Sequence, residues 1–300
     1  MLFKRAFVIV VILPLLASVA SEQTLSQQQA IPVDKSGERS KAEGTAARRP
    51  NGKAHVLVIA HRGDSRRAPE NTLPAFESAI RAGADLVELD YYHSADGVPV
   101  VFHDKELDRT TNAREVFRGQ KISTTAKNLA ELRKLDAGAW FDRRFAGTMI
   151  PTLEEALTVI QARSTTLIER KGGDAATCVK LLERKKLLTK VVVQSFDWDY
   201  VAECHRLAPQ LRLAALGSKK LTADKLDRIE ACGAHTVAWN HKHIRARDID
   251  AIHGRGLKAW VYTVNSTSIA KQLVRDGVDG IITDTPSDIL KVVRELAPAK

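Results

Sequence analysis

Beyond Val56 the chain alternates short runs of β-branched and apolar residues with amphipathic stretches of ten or more residues. The apolar runs are Val56 to Ala60, Leu86 to Tyr92, Val98 to Phe102, Thr166 to Ile168, Val191 to Gln194, Leu211 to Ala215, Thr236 to Trp239, Leu257 to Thr263 and Gly280 to Thr283. Helix starts fall between most of them. Thr152 with Glu155 forms a capping box, Asn71 or Thr72 precedes Pro74, and Asp174, Asp197, Thr222 and Ser266 stand at N-cap positions. Strand followed by helix, repeated over about 240 residues, is the pattern of a (β/α)8 TIM barrel. A doubly wound open sheet shares this periodicity and is the alternative.

Nine runs are one more than such a barrel needs. The surplus lies between Leu86 and Phe102, where no helix fits, and Asp96-Gly97 is a strong hairpin turn signal. A pairing centred between residues 96 and 97 sets Asp90 opposite His103, and a parallel crossover puts both on one rim. In either geometry the two residues meet.

The N-terminal segment breaks the alternation. Lys4 and Arg5 precede an apolar run from Ala6 to Ala17, and Ser18-Val19-Ala20 then supplies small residues for cleavage, so residues 1–20 are expected to be a secretory signal peptide. The run is too short for a comfortable membrane span and contains Pro14, so no stable membrane insertion is expected after cleavage, and the protein is expected to be secreted or periplasmic. Residues 21–53 are polar, charged and small, unable to bury enough surface to offset their ordering, and are expected to form a flexible linker. Residues 54–300 form the folded domain.

Composition adds little to this picture. The net charge of +10 falls to +8 once Lys4 and Arg5 are removed, and 36 acidic residues are mixed with 46 basic ones, so nucleic acid is not expected as a partner. Three widely spaced cysteines, Cys178, Cys204 and Cys232, do not make a disulfide framework and are expected to be buried thiols. The oligomeric state is left open.

The chemistry-bearing residues gather at the ends of the runs. Glu88 and Asp90, two apart on a strand, point to one face, where two carboxylates repel unless a positive charge lies between them. A hard divalent cation with oxygen ligands meets that need, with Glu169 as a third carboxylate; an ion pair with Arg62 or Lys171 is the structural alternative. His61 and His103 close two runs, where barrel active sites lie, and two imidazoles can divide proton removal and proton donation. Arg62 can contact a phosphoryl group with two donors, and Lys171 can offset charge on the same oxygens.

The strings HRGDSRRAPENTLPAF, GADLVELDYYHSADGVPVVFHD, LDRTTN, LDAGAWF, IPTLEEAL, LIERK, VVVQSF, YTVN and DGIITDTP run in order from about Leu57 to Leu290. Together they resemble the glycerophosphodiester phosphodiesterase family. The resemblance implies a barrel hydrolase that splits a small-molecule glycerophosphodiester into glycerol 3-phosphate and an alcohol. It implies that His61 and His103 are the general acid/base pair, that Glu88, Asp90 and Glu169 hold a Ca2+ or Mg2+ ion, and that Arg62 and Lys171 contact phosphate. Glu70 and Asn71 fall in the family's Glu-Asn-Thr string, where Glu70 is expected to support the metal shell. Calcium is the cation an exported member more readily meets.

Two features depart from the family pattern. Tyr262 stands where the family usually has Trp, with Trp260 two residues earlier, so both are expected to shape the wall around the glycerol or alcohol group, with Phe196 a further lining candidate. The segment Lys105 to Ile150 after His103 is a short insertion, as in the family's compact branch. Gln194 and Trp239 are either pocket or core, His241-Lys242-His243 is expected to be solvated, and Asp284 is expected to cap the last helix. The attacking oxygen is either water or the substrate's glycerol 2-hydroxyl. Competing readings are a sphingomyelinase D or lysophospholipase D type of phosphodiesterase on the same barrel, a non-catalytic binding module, and a polyanion-binding protein.

Overall fold

The computed structural model describes residues 55–297; the expected signal peptide at 1–20 and flexible linker at 21–53 lie outside the described residues. Nine strands form: β1 (Leu57–Ala60), β2 (Leu86–His93), β3 (Pro99–Val101), β4 (Thr165–Arg170), β5 (Val191–Ser195), β6 (Arg212–Gly217), β7 (Thr236–Asn240), β8 (Lys258–Tyr262) and β9 (Gly280–Thr283). Every one coincides with a run of the sequence pattern. Strand β1 pairs in parallel with both β2 and β9, which closes the sheet, and β3 is attached outside the ring, antiparallel to β2. The fold is therefore a TIM barrel of eight parallel strands, and the open-sheet alternative is excluded by the closing pairs.

Helices α1 (Leu73–Ala82), α2 (Ala113–Val116), α3 (Leu129–Leu132), α4 (Leu153–Ile160) and α5 (Ala175–Arg184) are followed by α6 (Trp198–Leu207), α7 (Ala223–Ala231), α8 (Ala246–His253), α9 (Thr267–Asp276) and α10 (Pro286–Leu296). The side chains of Asp174, Asp197, Thr222 and Ser266 each accept a hydrogen bond from the backbone N–H three residues on, and Thr152 with Glu155 makes the full capping box. These caps satisfy donors that a helix start leaves orphaned. Thr72 is the N-cap of α1 and uses no side-chain bond there; its hydroxyl donates to the Pro69 carbonyl instead.

The alternation of each strand divides the core in two. Outward residues such as Val58, Leu89, Val193 and Ile281 pack with the helices, together with the free, buried Cys178, Cys204 and Cys232. Inward residues, including Ile59, Leu86, Leu167, Leu216 and Ile282, fill the lower barrel with apolar side chains. Above that apolar plug the inward positions turn polar, with Glu88, Asp90, Glu169 and Gln194 all buried. The functional candidates sit at this C-terminal end, as barrel geometry requires.

The hairpin forms, but one residue out of the expected register. Ser94 N–H donates to the Val98 carbonyl, so three residues rather than two make the loop, and Gly97 takes φ 78° within it. Gly97 supplies the left-handed position that such a three-residue turn needs. Tyr91 therefore faces Val101, and the N–H of Phe102, not of His103, donates to the Asp90 carbonyl. The chain then leaves the sheet, and residues 105–150 fold as α2, α3 and three short 3-10 turns over a small core of Val100, Phe102, Leu107, Leu132, Leu135 and Ile150.

Candidate active site

The turn after β1 is shaped around the carboxylates. Arg62 and Gly63 both take left-handed φ, 55° and 82°. A Cβ at Gly63 would lie 2.6 Å from the Ala75 backbone carbon, so only glycine lets the turn close onto α1. The turned backbone aims the Arg62 N–H at Glu88 Oε2, 2.7 Å away, and the Gly63 N–H at the Glu88 carbonyl, 3.2 Å. Asn71, also left-handed at φ 59°, holds Asp90 from both sides: its Nδ2 donates to Asp90 Oδ2 at 2.8 Å, and its Oδ1 accepts from the Asp90 N–H at 3.1 Å.

Glu88, Asp90 and Glu169 each present a carboxylate oxygen within 4.8 Å of the others, and all three are buried. Register explains the meeting, since Asp90 lies directly beside Glu169 in the β2–β4 ladder. Both cations proposed as structural partners are present. Arg62 Nε is 3.2 Å and Lys171 Nζ 3.3 Å from Asp90, and Lys171 also pairs with Glu169. Two cations do not neutralise three carboxylates evenly. Burial pushes Asp90 up, but Lys171 and Arg62 outweigh it and hold Asp90 below its ordinary value. Burial, then the charges of Asp90 and Glu169, pushes Glu88 well up, and burial with Asp90 raises Glu169 to about 7. Glu88 Oε1 is buried without a hydrogen-bond partner. An orphaned buried carboxylate oxygen, facing two more hard oxygen donors, fits a hard metal cation.

The two histidines are held in the same way. His61 Nδ1 lies 2.6 Å from Asp284 Oδ1, and His103 Nδ1 lies 2.6 Å from Asp104 Oδ1. An ionised carboxylate can only accept, so Nδ1 carries the proton in both rings and Nε2 is the basic nitrogen. His61 follows β1 and His103 follows β3, and both strands pair with β2, which carries Glu88 and Asp90, so both rings lie on the carboxylate side. Burial lowers His103 below the ordinary imidazole value, favouring the neutral ring. Asp284 does not cap the last helix. Thr285 is the N-cap, and Asp284 accepts from His61, from Asn265 Nδ2 at 2.6 Å and from Ser65 Oγ at 3.3 Å. Burial raises its carboxyl, but those bonds hold it down at about 2.

Glu70 faces cations. It accepts from Arg62 Nη1 at 2.8 Å and from both terminal nitrogens of Arg109, at 2.9 and 2.6 Å, while Arg109 Nε donates to Asp104 at 2.5 Å. Its oxygens are thus committed to two guanidinium groups, and it stands outside the cluster of three carboxylates. A continuous chain of ion pairs, Arg62–Glu70–Arg109–Asp104–His103, joins the β1 turn to the insertion. Sequence reasoning missed Arg109, Asp104 and the role of Asp284. Each lay in a quoted string, but nothing in spacing alone revealed its partner.

The aromatic candidates separate. Tyr262 is at the rim, its hydroxyl donating to the Gly217 carbonyl at 2.7 Å and its ring meeting Phe196 edge-on at a centroid distance of 6.1 Å. Phe196 is 52% exposed and lies 6.0 Å below Lys171 Nζ, so this pair borders the site. Trp260 does not: it fills the apolar plug one layer below, against the α-carbon side of Gly280, where a Cβ would lie 2.7 Å from its ring. Trp239 packs on the helix side of the sheet, and Gln194 is buried inside the barrel. His241 contacts the Tyr262 carbonyl at 3.1 Å and belongs to no metal-ligand group among the described residues.

The model of the glycerophosphoryl diester phosphodiesterase family matches residues 61–288, which span the turn after β1 through the start of α10. The chain belongs to that family. It is similar to the glycerophosphodiester phosphodiesterase of Caldanaerobacter subterraneus subsp. tengcongensis, with 34% identity over 249 residues, covering 80% of this chain and 98% of the relative. Among solved structures it resembles an Oleispira antarctica phosphodiesterase in complex with the product sn-glycerol-3-phosphate, at TM-score 0.72 and 29% identity, covering 79% of this chain and 96% of the other. It also resembles a glycerophosphodiester phosphodiesterase from Agrobacterium tumefaciens, at TM-score 0.68 and 30% identity, covering 79% and 99%. As a family member the chain is an enzyme, a phosphoric diester hydrolase.

Proposed function

We propose that this site hydrolyses glycerophosphodiesters to glycerol 3-phosphate and an alcohol, with His61 and His103 as the acid/base pair. The observation that carries the reading is the matched pair of carboxylate-held imidazoles flanking one buried cluster of three carboxylates. With Nδ1 fixed, Nε2 of one ring takes the proton of the attacking oxygen, and protonated Nε2 of the other returns a proton to the departing alkoxide. Arg62 and Lys171 supply positive charge toward the phosphoryl oxygens, and Glu70 with Arg109 orients the Arg62 guanidinium. Glu88, Asp90 and Glu169 would hold a divalent cation, which when bound supplies further charge stabilisation at phosphorus. The apolar N-terminal run supports export, so we place the activity outside the cytoplasm, which fractionation of the full-length chain tests.

The direct test is enzymatic release of glycerol 3-phosphate from glycerophosphocholine, glycerophosphoethanolamine and glycerophosphoinositol, with and without a chelator. Release that stops on chelation and returns with Ca2+ or Mg2+ is expected. Activity surviving chelation sinks the metal assignment, and near-native turnover in His61→Ala or His103→Ala sinks the proton-transfer assignment.

A further inference from the structure

A cavity of about 740 Å3 is bounded on one side by His103 and Lys171 and on the others by Tyr92 and the first part of the insertion. Its lining is almost entirely ionisable. Lys105, Arg109 and Arg114 face it as cations, no aliphatic side chain lines it, and Tyr92 is its one benzenoid ring. Most of these charges are already committed: Arg114 Nε donates to Asp108 at 3.0 Å, Arg109 is held by Glu70 and Asp104, and Lys171 by Asp90 and Glu169. Lys105 and Glu106, both exposed on the cavity wall, make no ion pair among the described residues. One uncommitted cation and one uncommitted carboxylate therefore stand beside the histidine.

We propose that this cavity is the subsite for the alcohol half of the diester, and that it selects a polyhydroxylated alcohol, of the glycerol or inositol class, over a quaternary ammonium alcohol. The inference rests on the reading of the site given above. A polyol both donates and accepts, so its hydroxyls are satisfied by Glu106 and Lys105 together. A quaternary ammonium has no donor and is bound by several aromatic faces. Here it meets a single tyrosine, four cations, and carboxylates of which Asp104 and Asp108 are already paired with arginines. No aliphatic residue lines the cavity to receive an acyl chain, which weighs against a lysophospholipid or sphingomyelin substrate. His103 borders the cavity, so one of the two imidazoles stands beside the departing polyol oxygen as its bond to phosphorus breaks.

The test compares kcat/KM of the metal-loaded full chain for glycerophosphoinositol, glycerophosphoglycerol and glycerophosphocholine. The two polyol diesters are expected to exceed the choline diester by about tenfold. The double substitution Lys105→Ala with Glu106→Ala, at two exposed positions, is expected to raise KM for the polyol diesters about fivefold, leave kcat within about twofold, and shrink the preference. A choline diester hydrolysed as well as the polyols, or a preference unmoved by the double substitution, overturns the proposal. Release from none of the three overturns the catalytic reading beneath it.

Discussion

The two histidine–aspartate pairs do the same geometric job with different construction. His61 and Asp284 are 223 residues apart and meet because β1 and β9 are neighbours in the closed barrel. Asp284 is fixed there by Asn265, whose Oδ1 also accepts the Asp284 N–H at 2.9 Å, and by Ser65. His103 and Asp104 are adjacent in the chain, lie beyond the end of β3, and depend on Arg109, whose side chain is 46% exposed. One pair is part of the barrel wall. The other is assembled by the insertion. A support built into a closed sheet has few alternative arrangements, whereas a loop-borne support held by an exposed guanidinium can relax when a partner is lost.

Removing either ring is the largest perturbation. His61→Ala and His103→Ala are each expected to lower kcat about a thousandfold in a glycerol 3-phosphate release assay. A loss near tenfold for one alone would break the equivalence of the two rings. Removing the supports should expose the difference in construction. Asp284→Ala is expected to cost about a hundredfold in kcat and Asp104→Ala about tenfold, with KM little changed, because the pair fixed in the barrel wall cannot rearrange around the loss while the loop bearing His103 can. Equal losses would show that the two supports are equally rigid.

Arg109 sharpens the comparison further. Arg109→Ala frees Glu70 and Asp104 together and is expected to lower kcat about fivefold, with Arg109→Lys recovering part of it, since an ammonium restores charge but not the three-donor geometry. A separate expected effect is on acid stability. Asp284 is ordinarily ionised above 3.8, and in the fold it titrates at about 2. Its folded pKa is depressed, so its contribution is present above pH 3.8 and is lost as pH falls toward 2. Asp284→Asn should therefore be less stable than the native chain at pH 6 by on the order of 2 kcal/mol, a gap closing in more acid solution, as urea unfolding at the two pH values would show. The corresponding change at Asp104 should be smaller if the loop relaxes around it.

Local signals carried much of the architecture. Each strand is a run of β-branched and apolar residues, and Asp174, Asp197, Thr222 and Ser266 cap the helices they precede, because strand faces and helix ends are governed by neighbours two to four residues away. Glu88 and Asp90 were readable as one face of β2 for the same reason. The hairpin was readable, but not its register, since Asp96-Gly97 is compatible with a two-residue or a three-residue loop, and the Ser94–Val98 bond chose the longer. Trp260 and Tyr262 share an inward face by alternation, yet only depth along the barrel axis separates the one that fills the plug from the one that borders the site.

The sequence by itself thus determined the strand and helix order, the barrel class and the chemical types gathered at the strand ends. Tertiary structure alone decided which charges meet. Asp284 reaches His61 through the closure of β1 against β9, Glu169 reaches Asp90 through the β2–β4 register, and Arg109 reaches Glu70 across 39 residues of chain. Hydrophobic periodicity is a short-range property of the chain. The pairing of buried charges is fixed by strand neighbours far apart in sequence, and it is that pairing which sets protonation, ring orientation and the fit for a cation.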